Sequence, residues 1–88
     1  MVRRKVIVHG SVQGVGFRVA VARAAEVRGV AGWARNRADG AVEAVFEGEA
    51  DQVESLLRFC GQGPRGASVA RVEVADEEPE GLSRFAVR

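Results

Sequence analysis

The spacing of apolar positions changes several times along the chain, and each change marks an element. Val6-Ile7-Val8-His9 is a β-branched run that follows a basic cluster and stops at Gly10, as a strand does. From Phe17 the period lengthens, with Phe17, Ala20, Val21, Ala24 and Val27 three and four apart and Arg18, Arg23, Glu26 and Arg28 between them. That spacing predicts a helix of about three turns closed by Gly29. Gly32 to Arg37 and Ala41 to Glu47 flank Asp39-Gly40, a dipeptide suited to a tight hairpin turn, and read as two antiparallel strands. Helical spacing returns at Ala50: Val53, Leu56, Leu57 and Cys60 share a stripe, Glu49 and Asp51 suit the positive helix start, and Gly61 ends it. After the loop Gly61 to Gly66, Val69, Val72 and Val74 mark a strand. Asp76 to Gly81 reads as an acidic loop, and Phe85-Ala86-Val87 as a short closing strand.

The order β-α-β-β-α-β, followed by the short closing segment, predicts an α+β fold, the ferredoxin-like sandwich, in which an antiparallel sheet carries both helices on one face. The 88 residues suit a single domain, 1–88, with no room for a second core. Composition agrees, since 47% hydrophobic and 28% charged residues match neither a disordered nor a membrane protein. This fold hosts many functions, so function has to come from a site.

Charge narrows the choice of partner. With 13 Lys+Arg against 12 Asp+Glu, no global field draws the chain to nucleic acid or to an anionic membrane. The imbalance is local: basic residues lead early, from Arg3, Arg4 and Lys5 to Arg35 and Arg37, and acidic ones dominate from Glu43 to Glu80. A small anion suits that pattern better than a long polyanion. Base stacking on the sheet, as RNA-recognition domains practise it, is poorly supplied, since there is no Tyr and only Phe46 and Phe85 are strand phenylalanines. One cysteine, Cys60, forms no intramolecular disulfide, and no long apolar run or leader-like start is seen. The cytoplasm is the expected location.

Candidate chemistry centres on Gly10-Ser11-Val12-Gln13-Gly14-Val15-Gly16, which joins a strand to a helix start. Free N–H groups and the positive helix end favour an anion there, although a tight structural turn uses glycine in the same way. Neither a phosphate-loop Gly-Lys-Ser/Thr nor a dinucleotide fingerprint is present, because Val19 stands where the third glycine would fall. Arg18, in the first helical turn, can fold back over the loop and bind a phosphate or carboxylate bidentately. Asn36, just before the hairpin, reads either as a turn residue or as a carboxamide able to position a water. His9 reads as a strand surface residue with no partner carboxylate in view. Cys60 reads as a small buried hydrophobe, and the acidic residues lack metal-ligand spacing.

These residues carry a specific resemblance. Gly10-Ser11-Val12-Gln13-Gly14-Val15-Gly16-Phe17-Arg18, Gly32-Trp33-Ala34-Arg35-Asn36 with Asp39-Gly40-Ala41-Val42-Glu43, and Gly63-Pro64 with Ala67 and Val69 are similar, in register, to the acylphosphatase family. The resemblance implies a ferredoxin-like fold and hydrolysis of acyl phosphates to a carboxylate and inorganic phosphate, with no metal and no cofactor. It implies that Arg18 binds phosphate, that Asn36 orients the attacking water, and that amides of Val12, Gln13, Gly14, Val15, Gly16 and Phe17 line the phosphate cradle. The chain departs from the family pattern at Val19, often aromatic or histidine in relatives, and at Ala34, more often valine. Both departures miss the catalytic positions. A free-standing monomer acting on a small acyl phosphate is expected, the alternative being a non-catalytic anion-binding regulatory or interaction domain of the same fold.

Overall fold

The computed structural model describes residues Met1–Arg88. Five strands and two helices follow in the order β1 (Val2–Ser11), α1 (Phe17–Val27), β2 (Ala31–Asn36), β3 (Val42–Gly48), α2 (Ala50–Gln62), β4 (Ser68–Glu77) and β5 (Phe85–Val87). The sheet order is β4-β1-β3-β2-β5. Both helices cover one face, where Phe17, Val21 and Ala25 of α1 and Val53, Leu56 and Cys60 of α2 meet Val6, Val8, Ala34, Val42, Ala44 and Phe46.

All strand pairs are antiparallel except β2 with β5, so the sheet is mixed at that edge. The path of the chain explains the exception. Antiparallel pairing brings the end of β4 to the start of β1, with Glu77 opposite Arg3. Residues 78–84 then cross the same end of the sheet, so β5 enters beside the start of β2, with Phe85 opposite Gly32, and runs parallel to it.

That crossing is anchored by charge. Glu47, fully buried on β3, accepts a 2.7 Å bond from Arg3 Nη1 and the N–H groups of Glu80, Gly81 and Leu82 at 2.8–3.1 Å. Arg3 also donates to Glu77 at 2.8 Å and faces Glu80 at 3.1 Å. Burial of unpaired charge is prohibitive, and here every charge is paired.

The same pairing explains why the strands outrun their apolar cores. β1 extends beyond Val6–His9 through Arg3, Arg4 and Lys5 because each basic side chain meets an acid across the sheet: Arg4 with Asp76 at 3.0 Å and Lys5 with Glu43 at 3.3 Å. Asp76 and Glu77 accordingly belong to β4 and not to the acidic loop. α2 runs past Gly61 to Gln62, and Gly63 is the residue that closes it, its N–H bonded to Phe59 O at 2.7 Å.

Candidate functional site

Residues 12–16 link β1 to α1 through two left-handed glycines, Gly14 at φ 75° and Gly16 at φ 74°. Nothing lies within 4 Å of a Cβ built at either, so it is the backbone conformation, not crowding, that calls for glycine. The sharp turn leaves donors free. No N–H from Gln13 to Gly16 reaches a main-chain carbonyl, and the first turn of α1 has no capping side chain and no acidic residue. The result is a rim of main-chain donors at the positive end of a helix dipole. Phe17, the first helical residue, is buried and pins this rim from below. A Cβ at Gly63 would come within 3.0 Å of the Phe17 ring, so the loop after α2 packs directly on that anchor.

Arg18 and Asn36 line one concavity of about 90 Å³ together with Val12, Gly14, Gly16, Phe17 and Val19. It contains one cationic side chain and no acidic one. Arg18 Nη1 donates to the main-chain oxygen of Arg88 at 2.6 Å. Arg88 is itself held on β2, its N–H donating to Ala34 O at 2.8 Å and its guanidinium lying 4.7 Å from the centre of the Trp33 ring. Arg18 is thus steadied without a side-chain carboxylate partner.

Asn36 ends β2, exposed, and its carboxamide has no hydrogen bond to the protein. The turn role open to it falls to Asp39, whose Oδ1 accepts the Ala41 N–H at 3.1 Å. That main-chain bond, helped by Arg37, holds the Asp39 carboxyl below its usual range. Asn36 is left free to hold a water or a substrate oxygen.

Two residues of the expected cradle turn their side chains elsewhere and leave only main-chain N–H groups toward it. The Gln13 side chain turns to the hairpin, donating to Arg37 O at 2.7 Å and Ala41 O at 3.0 Å, and Val15 packs on the core; neither lines the concavity. Of the two departures from the family pattern, Ala34 is fully buried, whereas Val19 stands half exposed at the concavity's edge.

His9 does have a carboxylate partner, contrary to the expectation from sequence: Glu73 of β4 bonds its Nε2, and Arg71 stands 3.5 Å from the same carboxyl. The partner comes from a strand more than sixty residues away, out of reach of any local motif. The bond from His9 holds the Glu73 carboxyl below its usual range. Neither residue lines the concavity. Burial pushes the Cys60 thiol up to about 12, which leaves it inert as a nucleophile. No group of three or more His, Cys, Asp or Glu side chains is arranged to hold a metal ion.

Four other concavities are larger than this one, two of them well above the rest. One of about 620 Å³ sits at the opposite end of the sheet near Met1, Val30 and Arg84. The other, of about 510 Å³, lies among Lys5, Arg35, Arg37 and Glu43 and shares Asn36 with the smaller concavity. Burial works to raise the Glu43 carboxyl, but bonds from Arg35 and Lys5 outweigh it and hold the group below its usual range. Sequence reasoning missed the support from Arg88, because its contact to Arg18 is a main-chain oxygen whose place depends on the register of β5.

Likeness to known proteins extends over nearly the whole chain. The family model for acylphosphatase matches residues 4–87. An acylphosphatase of Thermococcus kodakarensis is 54% identical over 86 residues, covering 98% of this chain and 94% of that one. One of Gloeobacter violaceus is 55% identical, covering 98% and 92%. The crystal structure of acylphosphatase from Bacillus subtilis superposes with a TM-score of 0.97 at 37% identity, covering 100% of this chain and 99% of the other. A likeness this even, from the first strand to the last and in both sequence and fold, makes the chain a member of the acylphosphatase family.

Proposed function

We propose that this acylphosphatase hydrolyses the carboxyl-phosphate bond by positioning and electrostatics alone, with Arg18 and the loop amides holding the phosphoryl group and Asn36 holding the water. One observation carries the reading: Arg18 and Asn36 converge on a concavity rimmed by unpartnered main-chain N–H groups and free of acidic side chains. Phosphoryl transfer suits such a site, because its transition state is loose and charge gathers on the equatorial oxygens. Donors fixed before the reaction stabilise that charge without reorganising. The planar guanidinium of Arg18 pairs with two phosphoryl oxygens while the N–H groups of the loop and helix start meet the third. Asn36 accepts one hydrogen bond from water and turns its oxygen toward phosphorus, in line with the departing carboxylate.

No imidazole, thiolate or carboxylate lines the concavity, so the water's proton passes to a substrate oxygen. The carboxylate leaving group is stable without protonation. On this reading no metal takes part. The substrate is a small acyl phosphate, inorganic phosphate is the product, and the chain works as a one-domain monomer in the cytoplasm, in keeping with its balanced charge and a single buried cysteine. No helix is long and apolar enough to cross a membrane.

Benzoyl phosphate, followed by ultraviolet absorbance with a chelator present, tests the mechanism. Arg18→Ala is expected to lose about a hundredfold or more in turnover, the scale for removing a preorganised donor. Asn36→Ala is expected to lose turnover while inorganic phosphate still inhibits. Undiminished hydrolysis by Arg18→Ala, or an absolute need for a divalent metal, overturns it.

A further inference from the structure

The Gln13 side chain joins the two halves of the site, and nothing in the chemistry assigned to Arg18 and Asn36 uses it. Both hydrogens of its carboxamide nitrogen point at main-chain carbonyls of the β2–β3 hairpin, Arg37 O at 2.7 Å and Ala41 O at 3.0 Å. Those two positions are special. Arg37 follows Asn36 directly, and Ala41 precedes Val42, the cross-strand partner of Asn36. The same carbonyls take part in closing the hairpin, Ala41 O accepting Arg37 N–H at 2.8 Å and Arg37 O accepting Gly40 N–H at 3.2 Å. Gln13 therefore grips both sides of the rung on which Asn36 sits. No other hydrogen bond links residues 12–16 to residues 37–41.

The two partners in this link are unequally anchored. The glycine loop is held at either end by buried side chains, Val12 and Phe17, and by the pairing of Ser11 with Ser68. The hairpin tip, Ala38 and Asp39, is exposed. If the link is cut, the hairpin is the part that moves. We propose that Gln13 is a positioning residue for the hydrolysis, setting the distance between the phosphate cradle and Asn36 so that the water held by Asn36 lies in line with phosphorus. The inference rests on the role given to Asn36 above. Placement errors of about 1 Å in a reacting group can cost up to a hundredfold in rate, so a link of this kind has catalytic leverage.

The test is a double-mutant cycle with Gln13→Met, which keeps the length of the side chain and removes both donors, and Asn36→Ala. For Gln13→Met, kcat on benzoyl phosphate is expected to fall by about ten- to a hundredfold. Inhibition by inorganic phosphate should stay within about twofold, since the loop amides and Arg18 are untouched. In the Asn36→Ala background the same substitution should change kcat hardly at all, because its target is gone. Gln13→Lys, which returns a donor at similar reach, should recover part of the rate. A parallel fall in kcat and phosphate affinity would move the role of Gln13 to the cradle. Additive losses in the cycle, or an undiminished kcat, would also overturn the proposal, and thermal unfolding checks that each variant is folded. If Asn36→Ala alone leaves kcat intact, the reading of Asn36 fails, an outcome distinct from failure of Gln13.

Discussion

At the end of the sheet where β1 begins, a guanidinium and three main-chain N–H groups enclose the carboxylate of Glu47; at the other end, Arg18 and the N–H groups of a glycine loop surround a space. The donors are alike and the outcomes opposite. Burial works to raise the Glu47 carboxyl, but the N–H of Glu80, the Arg3 guanidinium and the N–H groups of Leu82 and Gly81 overcome it and hold the group at about 2. Arg3 is buried and shared among Glu47, Glu77 and Glu80, whereas Arg18 faces no carboxylate side chain. One arrangement carries its own anion and fastens a crossing loop with it. The other has the same kind of donors turned to solvent, and a phosphoryl group can fill the place that Glu47 fills at the far end.

The largest effect that divides the two ends is on stability. Removing one partner of a buried ion pair costs about 3–5 kcal/mol, so Glu47→Ala should destabilise by that amount in urea unfolding. Arg18→Ala, with a half-exposed side chain and one main-chain partner, should stay within about 0.5 kcal/mol of the parent. Equal losses would show that the Arg18 end is also a structural clamp. Acid separates them further. Glu47 is held at about 2, below its ordinary 4.5, so the stability it contributes is present above about pH 5 and lost as pH falls toward 2. The loss should total roughly 3 kcal/mol. Glu47→Gln should flatten that part of the profile, and Arg18→Ala should leave it unchanged.

Next in size is the response to phosphate. A ligand at a hundred times its dissociation constant stabilises the folded chain by about 2.7 kcal/mol. Inorganic phosphate should raise the unfolding midpoint of the parent accordingly and do little for Arg18→Ala. In Glu47→Gln, less stable throughout, the increment from phosphate should match that of the parent. A phosphate response abolished by Glu47→Gln would mean that the two ends are coupled through the sheet.

The two ends also differed in how far the sequence revealed them. The glycine loop was legible because its signal is local: Gly14 and Gly16 announce an unusual backbone, and Arg18, proposed above to bind phosphate, lies four residues from the first of them. Asn36 could be located, but nothing local to it showed that the turn bond would go to Asp39 and leave its carboxamide unpartnered. The clamp was illegible because Arg3, Glu47 and Glu77 are 44 and 74 residues apart, and only the register of β1 with β3 and β4 brings them together. Charged residues at Arg3 to Lys5 and at Asp76 and Glu77 look like loop when read alone. Paired across strands, they become sheet. For the same reason the partner of His9 and the link from Gln13 to the hairpin were hidden: the carbonyl oxygens that Gln13 meets carry no signature in the sequence at all.

The smallest effect probes the glycine backbone that keeps the second set of donors open. An alanine at Gly16 meets no atom within 4 Å, so its cost comes only from holding φ at 74°, about 1–2 kcal/mol for a residue with a Cβ. Two responses are available to the chain, and they separate stability from binding. If the backbone keeps its left-handed turn, Gly16→Ala loses about 1 kcal/mol in urea unfolding and binds phosphate as before. If it relaxes to negative φ, most of that stability returns, but the N–H groups at the start of α1 swing away and phosphate inhibition weakens. Either result ties the glycine to the open site, since the strain is paid in one currency or the other. A variant unchanged in both would mean that the donors at this end are set by something other than the conformation of Gly16, and the contrast with the enclosed carboxylate of Glu47 would lose its physical basis.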